Sequence, residues 1–201
     1  MTTAAPGASR RPNGQGAPAS SDGLYHLGDT KWRDLEAEVR YALAHKANDV
    51  VLYGWSMGGG IVETFLRRSN DANRVRAVVL DAPALDWRAT LDLAADERHL
   101  PGVLTFVAER IVAARLGLAN LDPIDALRGS AQLRAPTLLF HGTEDTVVPI
   151  GPSDAFARAR PDLVTYIRVA GADHTQEWNV DPMVYTAALR SFLMRRLGPP
   201  S

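Results

Sequence analysis

Ser56, Asp145 and His174 are the residues of this chain whose types and surroundings could do chemistry together. Ser56 lies in Gly54-Trp55-Ser56-Met57-Gly58, after the apolar run Val50-Val51-Leu52-Tyr53 and before a helix-compatible segment from Ile61 to Arg68. A strand feeding a sharp turn and then a helix lifts a serine hydroxyl clear of a sheet, as a nucleophile requires. Gly54 and Gly58 are expected there because closely packed backbones in a strained turn leave no room for a Cβ. The N–H of Met57, at the start of the helix, is expected to face a developing oxyanion.

The partners lie downstream. Pro136-Thr137-Leu138-Leu139-Phe140-His141-Gly142 reads as a strand that runs into the loop Thr143-Glu144-Asp145-Thr146-Val147-Val148-Pro149. Asp145 is thus just beyond a strand's carboxyl end, where an open α/β sheet gathers its functional groups. The strand-like run Val164-Thr165-Tyr166-Ile167-Arg168-Val169 leads in the same way to Ala170-Gly171-Ala172-Asp173-His174. In such a set, serine attacks a carbonyl and histidine takes and returns the proton. Aspartate fixes the imidazole tautomer and stabilises the imidazolium.

Other residues compete for these roles. Asp81, at the end of Val78-Val79-Leu80, is a rival acid, and Asp173 is another, although it is too near His174 in sequence to reach round the ring easily. His141, a strand-end histidine before glycine, reads as a packed, hydrogen-bonded structural residue. The glycine-rich turn at Gly58-Gly59-Gly60 could hold a phosphate, but neither G-x-x-x-x-G-K-[ST] nor G-x-G-x-x-G is present and no lysine is near. His26, His45 and His99 have no companions at ligand spacing, so neither a metal nor a cofactor is expected.

The elements that must position these residues are legible from periodicity. Apolar runs at 49–54, 75–81, 136–141 and 163–169 suit strands buried on both faces of a parallel sheet. Helices are expected at 29–46, where Trp32, Leu35, Val39, Ala42 and Leu43 recur at helical spacing, and at 56–69, 101–117, 122–129, 152–159 and 182–197. Residues 1–23, rich in Ala, Pro, Gly and Ser, read as a disordered tail before an α/β domain at 24–201. The apolar segment within 98–130 is either a cap over the site or a core-packing helix. Trp55, Trp87 and Trp178 could line an apolar pocket or pack in the core.

Three motifs resemble those of the α/β-hydrolase superfamily, near its serine-peptidase-like and esterase-like members. They are Gly54-Trp55-Ser56-Met57-Gly58, the loop from His141 to Pro149, and Gly171-Ala172-Asp173-His174; the approach from Asp22 to Trp32 adds to them. The resemblance runs from Asp22 to Leu197 and implies the triad order Ser56, Asp145, His174. It also implies strands before the one that carries the serine, and a second oxyanion N–H donated by an early loop. No upstream apolar run supplies these here, so the expected fold is the C-terminal half of an α/β hydrolase: a mainly parallel sheet of four strands flanked by helices. One missing oxyanion donor costs about 10²–10³ in rate. Strand 49–54, from Asp49 to Gly54, would then form a sheet edge open to self-association or to complementation by a separate chain.

Composition bounds the rest. The chain has 201 residues, a net charge of −1 and no cysteine, which excludes disulfides and a thiol nucleophile and argues against a nucleic-acid footprint. Arg10-Arg11 is followed by no apolar run, and no segment is apolar enough to span a bilayer, so cytoplasmic residence is expected. The function expected is a serine hydrolase cleaving an ester, thioester or amide of a small acyl substrate. The alternative is a catalytically feeble remnant acting as a binding or assembly module. Haloalkane dehalogenation is disfavoured, because the resemblance then asks for a carboxylate where Ser56 stands.

Overall fold

The computed structural model describes residues 29–115 and 133–198, together with Leu121 and Gly129. Four parallel strands form one sheet in the order β1 (Val50–Trp55), β2 (Val75–Asp81), β3 (Thr137–Gly142) and β4 (Val164–Val169). Each lies within a residue of its expected span. Parallel strands need crossovers, and the helices supply them: α1 (Trp32–Ala44), α2 (Met57–Arg68), α3 (Trp87–Glu97), α4 (Gly102–Arg115), α5 (Ile150–Ala159), α6 (Glu177–Val180) and α7 (Pro182–Leu197).

Alternation along the strands divides the core into two layers. Leu52, Val78, Leu80 and Leu139 pack with Val39 of α1, Val62 and Phe65 of α2 and Phe156 of α5. Ala77, Val79, Leu138 and Phe140 point the other way and pack with Tyr185 and Phe192 of α7. A strand buried on both faces needs apolar residues at nearly every position, and this is why β2 and β3 read as continuous runs.

The expected segmentation needs three amendments. α3 was not legible as a helix, yet the Asp86 carboxylate caps it by accepting from the N–H groups of Arg88 and Ala89. The short α6 was also missed. α4 packs on α3 through Val112 and Ala113 but leaves Val103, Leu104, Phe106, Val107 and Ile111 exposed, so only part of its apolar surface faces the core. The expected tail at 1–23 and most of the expected helix at 122–129 lie outside the described residues; Gly129 itself is in a turn. Among the described residues, no helix is long and apolar enough to cross a membrane, and β1 has one sheet neighbour, β2.

Candidate active site

Ser56 is the single residue between the end of β1 and the start of α2. Its backbone takes φ 51° and ψ −123°, a conformation that costs a non-glycine residue about 1–3 kcal/mol unless its surroundings impose it. Main-chain bonds do so here. The Ser56 N–H donates to the Asp81 carbonyl, and the Ser56 carbonyl accepts from the N–H groups of Gly59 and Ala84, all at 3.0 Å. Met57 opens α2, so its N–H is one of those a helix leaves without an internal acceptor.

The glycines do not divide as expected. A Cβ on Gly54 would lie 2.8 Å from the Gly58 carbonyl, so that position must be glycine. A Cβ on Gly58, by contrast, would meet nothing within 4 Å. Gly58 borders an open cleft lined by Leu35, Tyr53 and Ile61. The tight contacts fall on the next two residues, where α2 lies against the loop after β2. A Cβ on Gly59 would be 2.4 Å from Pro83 Cβ, and one on Gly60 2.9 Å from the Ala84 carbonyl oxygen.

β3 and β4 deliver the other two residues. His174 Nε2 lies 2.8 Å from Ser56 Oγ, and His174 Nδ1 lies 2.8 Å from Asp145 Oδ2. With the proton on Nδ1, the ring donates to Asp145 and accepts the Ser56 hydroxyl. Asp145 Oδ1 accepts from the N–H groups of Val147 at 2.9 Å and Val148 at 2.8 Å. Burial pushes the Asp145 carboxyl up, but the hydrogen bonds from His141, His174, Val148 and Val147 outweigh it and hold the group well below the usual carboxylate range.

The loops carrying these residues are laced together. The N–H of Thr143 donates to Val169 O and that of Glu144 to Ala172 O, both at 3.0 Å. Close approach here is enforced at Gly142, where a Cβ would be 2.2 Å from Ala172 O. Asp173, a rival acid in the sequence, turns away from the imidazole. Its carboxylate accepts from the Thr146 N–H and hydroxyl, both at 2.9 Å, and from the His174 N–H at 2.7 Å. Those bonds lower its pKa.

The other rival acid, Asp81, accepts from the Tyr185 hydroxyl. His141 is buried, with Nδ1 2.7 Å from Ser153 Oγ and Nε2 3.0 Å from Val148 O and 3.3 Å from Asp145 Oδ2. It braces the acid loop from beneath. His45 stacks on Tyr41, and His26 lies outside the described residues. Among the described residues, no three His, Cys, Asp or Glu side chains gather as a metal site.

Sequence reasoning missed a polar layer under the site. Tyr53, Asp81, Glu177 and Tyr185 meet there, and distances of a hundred residues or more in sequence leave no local signal for such a cluster. Trp55 and Trp178 are about half exposed, Trp55 stacking on Tyr53. Trp87 packs against the α3–α4 cluster of Leu91, Val112 and Ala113. A groove of about 660 Å³ along α7, lined by Met183, Arg190 and Met194, has no member of the Ser56–His174–Asp145 chain in its wall.

Comparison with known proteins places this geometry in context. The model of the prolyl oligopeptidase family matches residues 13–175, a span that includes Ser56, Asp145 and His174. The pimeloyl-[acyl-carrier protein] methyl ester esterase of Chromobacterium violaceum is 24% identical, over 66% of this chain and 66% of its own length. An esterase structure from Pyrococcus furiosus superposes with a TM-score of 0.67 at 22% identity, covering 86% of this chain and 65% of that one. A puromycin-hydrolyzing peptidase of Mycobacterium tuberculosis does so with a TM-score of 0.65 at 19% identity, over 86% of this chain and 26% of that one. The chain therefore spans just under two thirds of the curated relative and of the Pyrococcus esterase.

Proposed function

The chain belongs to the prolyl oligopeptidase family, within the α/β-hydrolase superfamily, and on that premise we propose that it is a serine hydrolase cleaving an ester, thioester or amide through an acyl-Ser56 intermediate. The observation that carries this reading is the unbroken hydrogen-bonded chain from Ser56 Oγ through His174 to Asp145. Ser56 Oγ attacks the substrate carbonyl carbon while its proton passes to His174 Nε2. The Met57 N–H stabilises the oxyanion. Collapse expels the leaving group with the proton from His174, and a water molecule repeats the sequence to release the acid. Asp145 holds the imidazole and stabilises its cationic form. The esterases among the similar proteins favour an ester substrate, and the family's peptidase members keep an amide in view.

The test is to trap the acyl-enzyme. With p-nitrophenyl acetate, a burst of nitrophenolate is expected, together with a gain of one acetyl group on the Ser56 peptide by mass spectrometry. Acetylation elsewhere, unchanged in Ser56→Ala, would reject the assignment.

Among the described residues β1 has no neighbour on its outer side, and this edge carries the second part of the reading. Val51 and Trp55 are exposed there, and an edge strand with unpaired main-chain groups templates another strand. The chain self-associates, or accepts strands from a separate chain, along this edge.

A further inference from the structure

Each segment that brings a member of the Ser56–His174–Asp145 chain into place also sends one group into a single buried polar seam. Tyr53 precedes Ser56 by three residues, Gly142 precedes Asp145 by three, and Glu177 follows His174 by three. On the α7 side of the sheet the Tyr53 and Tyr185 hydroxyls hydrogen-bond each other, and the Tyr185 hydroxyl donates to Asp81 Oδ2. Glu177 Oε1 accepts from the Gly142 N–H at 2.9 Å. The seam's hub is Asp81, whose own carbonyl oxygen accepts from the Ser56 N–H at 3.0 Å.

Two oxygens of this seam are unaccounted for. Asp81 Oδ1 and Glu177 Oε2 are both buried without a hydrogen-bond partner if both carboxyls are ionised. The residues are 2% and 1% exposed, so bulk solvent does not reach them. Asp81 is paired with Phe140 on β3, two residues before the Gly142 whose N–H Glu177 holds, so the two carboxyl groups come together at the same end of the sheet. Two buried carboxylates in contact cannot both stay charged, whereas one proton between them satisfies both orphan oxygens at once.

We propose that Asp81 and Glu177 share a single proton, and that this pair is a positioning device that sets Ser56 and His174 in register and releases them when the proton leaves. The Glu177 carboxyl donates to Asp81 Oδ1 while its other oxygen holds the Gly142 N–H. The groups facing the pair are Tyr185 from α7 and Tyr53 from β1. Burial, with the Asp81 carboxyl adding to it, pushes the Glu177 pKa up to about 8. Above that pH the pair carries two negative charges and repels. Glu177 is then driven away from Asp81, and the turn carrying His174 shifts with it.

The sign for stability follows. A carboxyl whose folded pKa is raised makes its full contribution below its unfolded value of about 4.3, and that contribution is lost as pH rises through about 8. Glutamine keeps the acceptor for Gly142 and a donor for Asp81 but does not titrate.

The test compares the full-length wild type with Glu177→Gln and Glu177→Leu, reading both fluorophosphonate labelling rate and melting temperature against pH. The rate readout rests on the serine-hydrolase reading; the melting readout does not. At pH near 7, Glu177→Gln should label within about threefold of wild type, and Glu177→Leu should be about tenfold slower or worse. Between roughly pH 7 and pH 9.5 the ratio of Glu177→Gln to wild-type rate should rise about tenfold or more, as the wild type loses its proton and the variant does not. The wild-type melting temperature should fall relative to that of Glu177→Gln over roughly pH 5 to 9. A rate ratio and a melting difference that both stay flat with pH would overturn the proposal. If no variant labels at any pH while the melting difference moves as described, the hydrolase reading has failed and the shared proton stands without a positioning role.

Discussion

The Asp145 carboxylate, its side chain wholly buried, faces His174 Nδ1 at 2.8 Å and His141 Nε2 at 3.3 Å, so one acid is held between two imidazoles. The first ring points at Ser56 and the second locks the acid loop onto α5 through Ser153. A merely capping aspartate would have needed only the N–H groups of Val147 and Val148.

Asp145→Asn should therefore lower turnover by about 10³–10⁴, because an amide stabilises neither the required tautomer nor the imidazolium. The stability sign is opposite to that of Glu177. The Asp145 pKa is lowered in the folded chain, so its contribution is present above the unfolded value of about 3.9 and lost as pH falls below it. The melting gap between wild type and Asp145→Asn should accordingly be widest near neutrality and close in acid. A gap that grows on acidification would contradict the assignment.

His141→Phe should separate bracing from chemistry. It leaves the Ser153 hydroxyl and the Val148 carbonyl buried without their partner, which costs about 2–4 kcal/mol in all. The same change frees one side of Asp145, and turnover should fall about tenfold, far less than for His174→Ala. Denaturant unfolding together with steady-state kinetics reads both. Wild-type stability in His141→Phe would show that these bonds do not brace the loop.

The glycine run gives an ordered prediction. Gly58→Ala places its methyl in open space within α2 and should hold melting or raise it by about 1–4 degrees. Gly59→Ala drives a methyl into Pro83 at 2.4 Å and should cost about 1–3 kcal/mol or more. Equal melting temperatures for the two variants would mean that α2 does not lie on the Pro83 loop as described.

The parts of this architecture that were legible in sequence are those with local signatures. β2 and β3 announce themselves because both faces are covered, and the turns at Ser56, Asp145 and His174 because each follows an apolar run. Chain order then named the three residues that the fold brings together; their catalytic roles are the proposal made above. α3 escaped because Arg88, Asp92 and Asp96 dilute its short apolar stripe, although Asp86 just before Trp87 was a usable capping signal. Gly58 was misread because a glycine beside a serine looks the same whether it faces a wall or an opening. The seam of Tyr53, Asp81, Glu177 and Tyr185 has no local pattern, since each contact joins elements distant in sequence.

The β1 edge predicts concentration-dependent association. Light scattering at about ten micromolar and above should report a mass larger than one chain, and Val51→Lys, a charge on the edge strand, should return it to monomer. A wild-type monomer across that range would remove self-association from the reading and leave complementation by a separate chain.

The most direct measurement is fluorophosphonate labelling of the purified chain, with Ser56→Ala and His174→Ala as controls. The account predicts one label on Ser56 in the wild type, none there in Ser56→Ala, and a rate reduced by about 10³ or more in His174→Ala. A folded chain that takes no label, or one that labels Ser56 equally fast without His174, would contradict it.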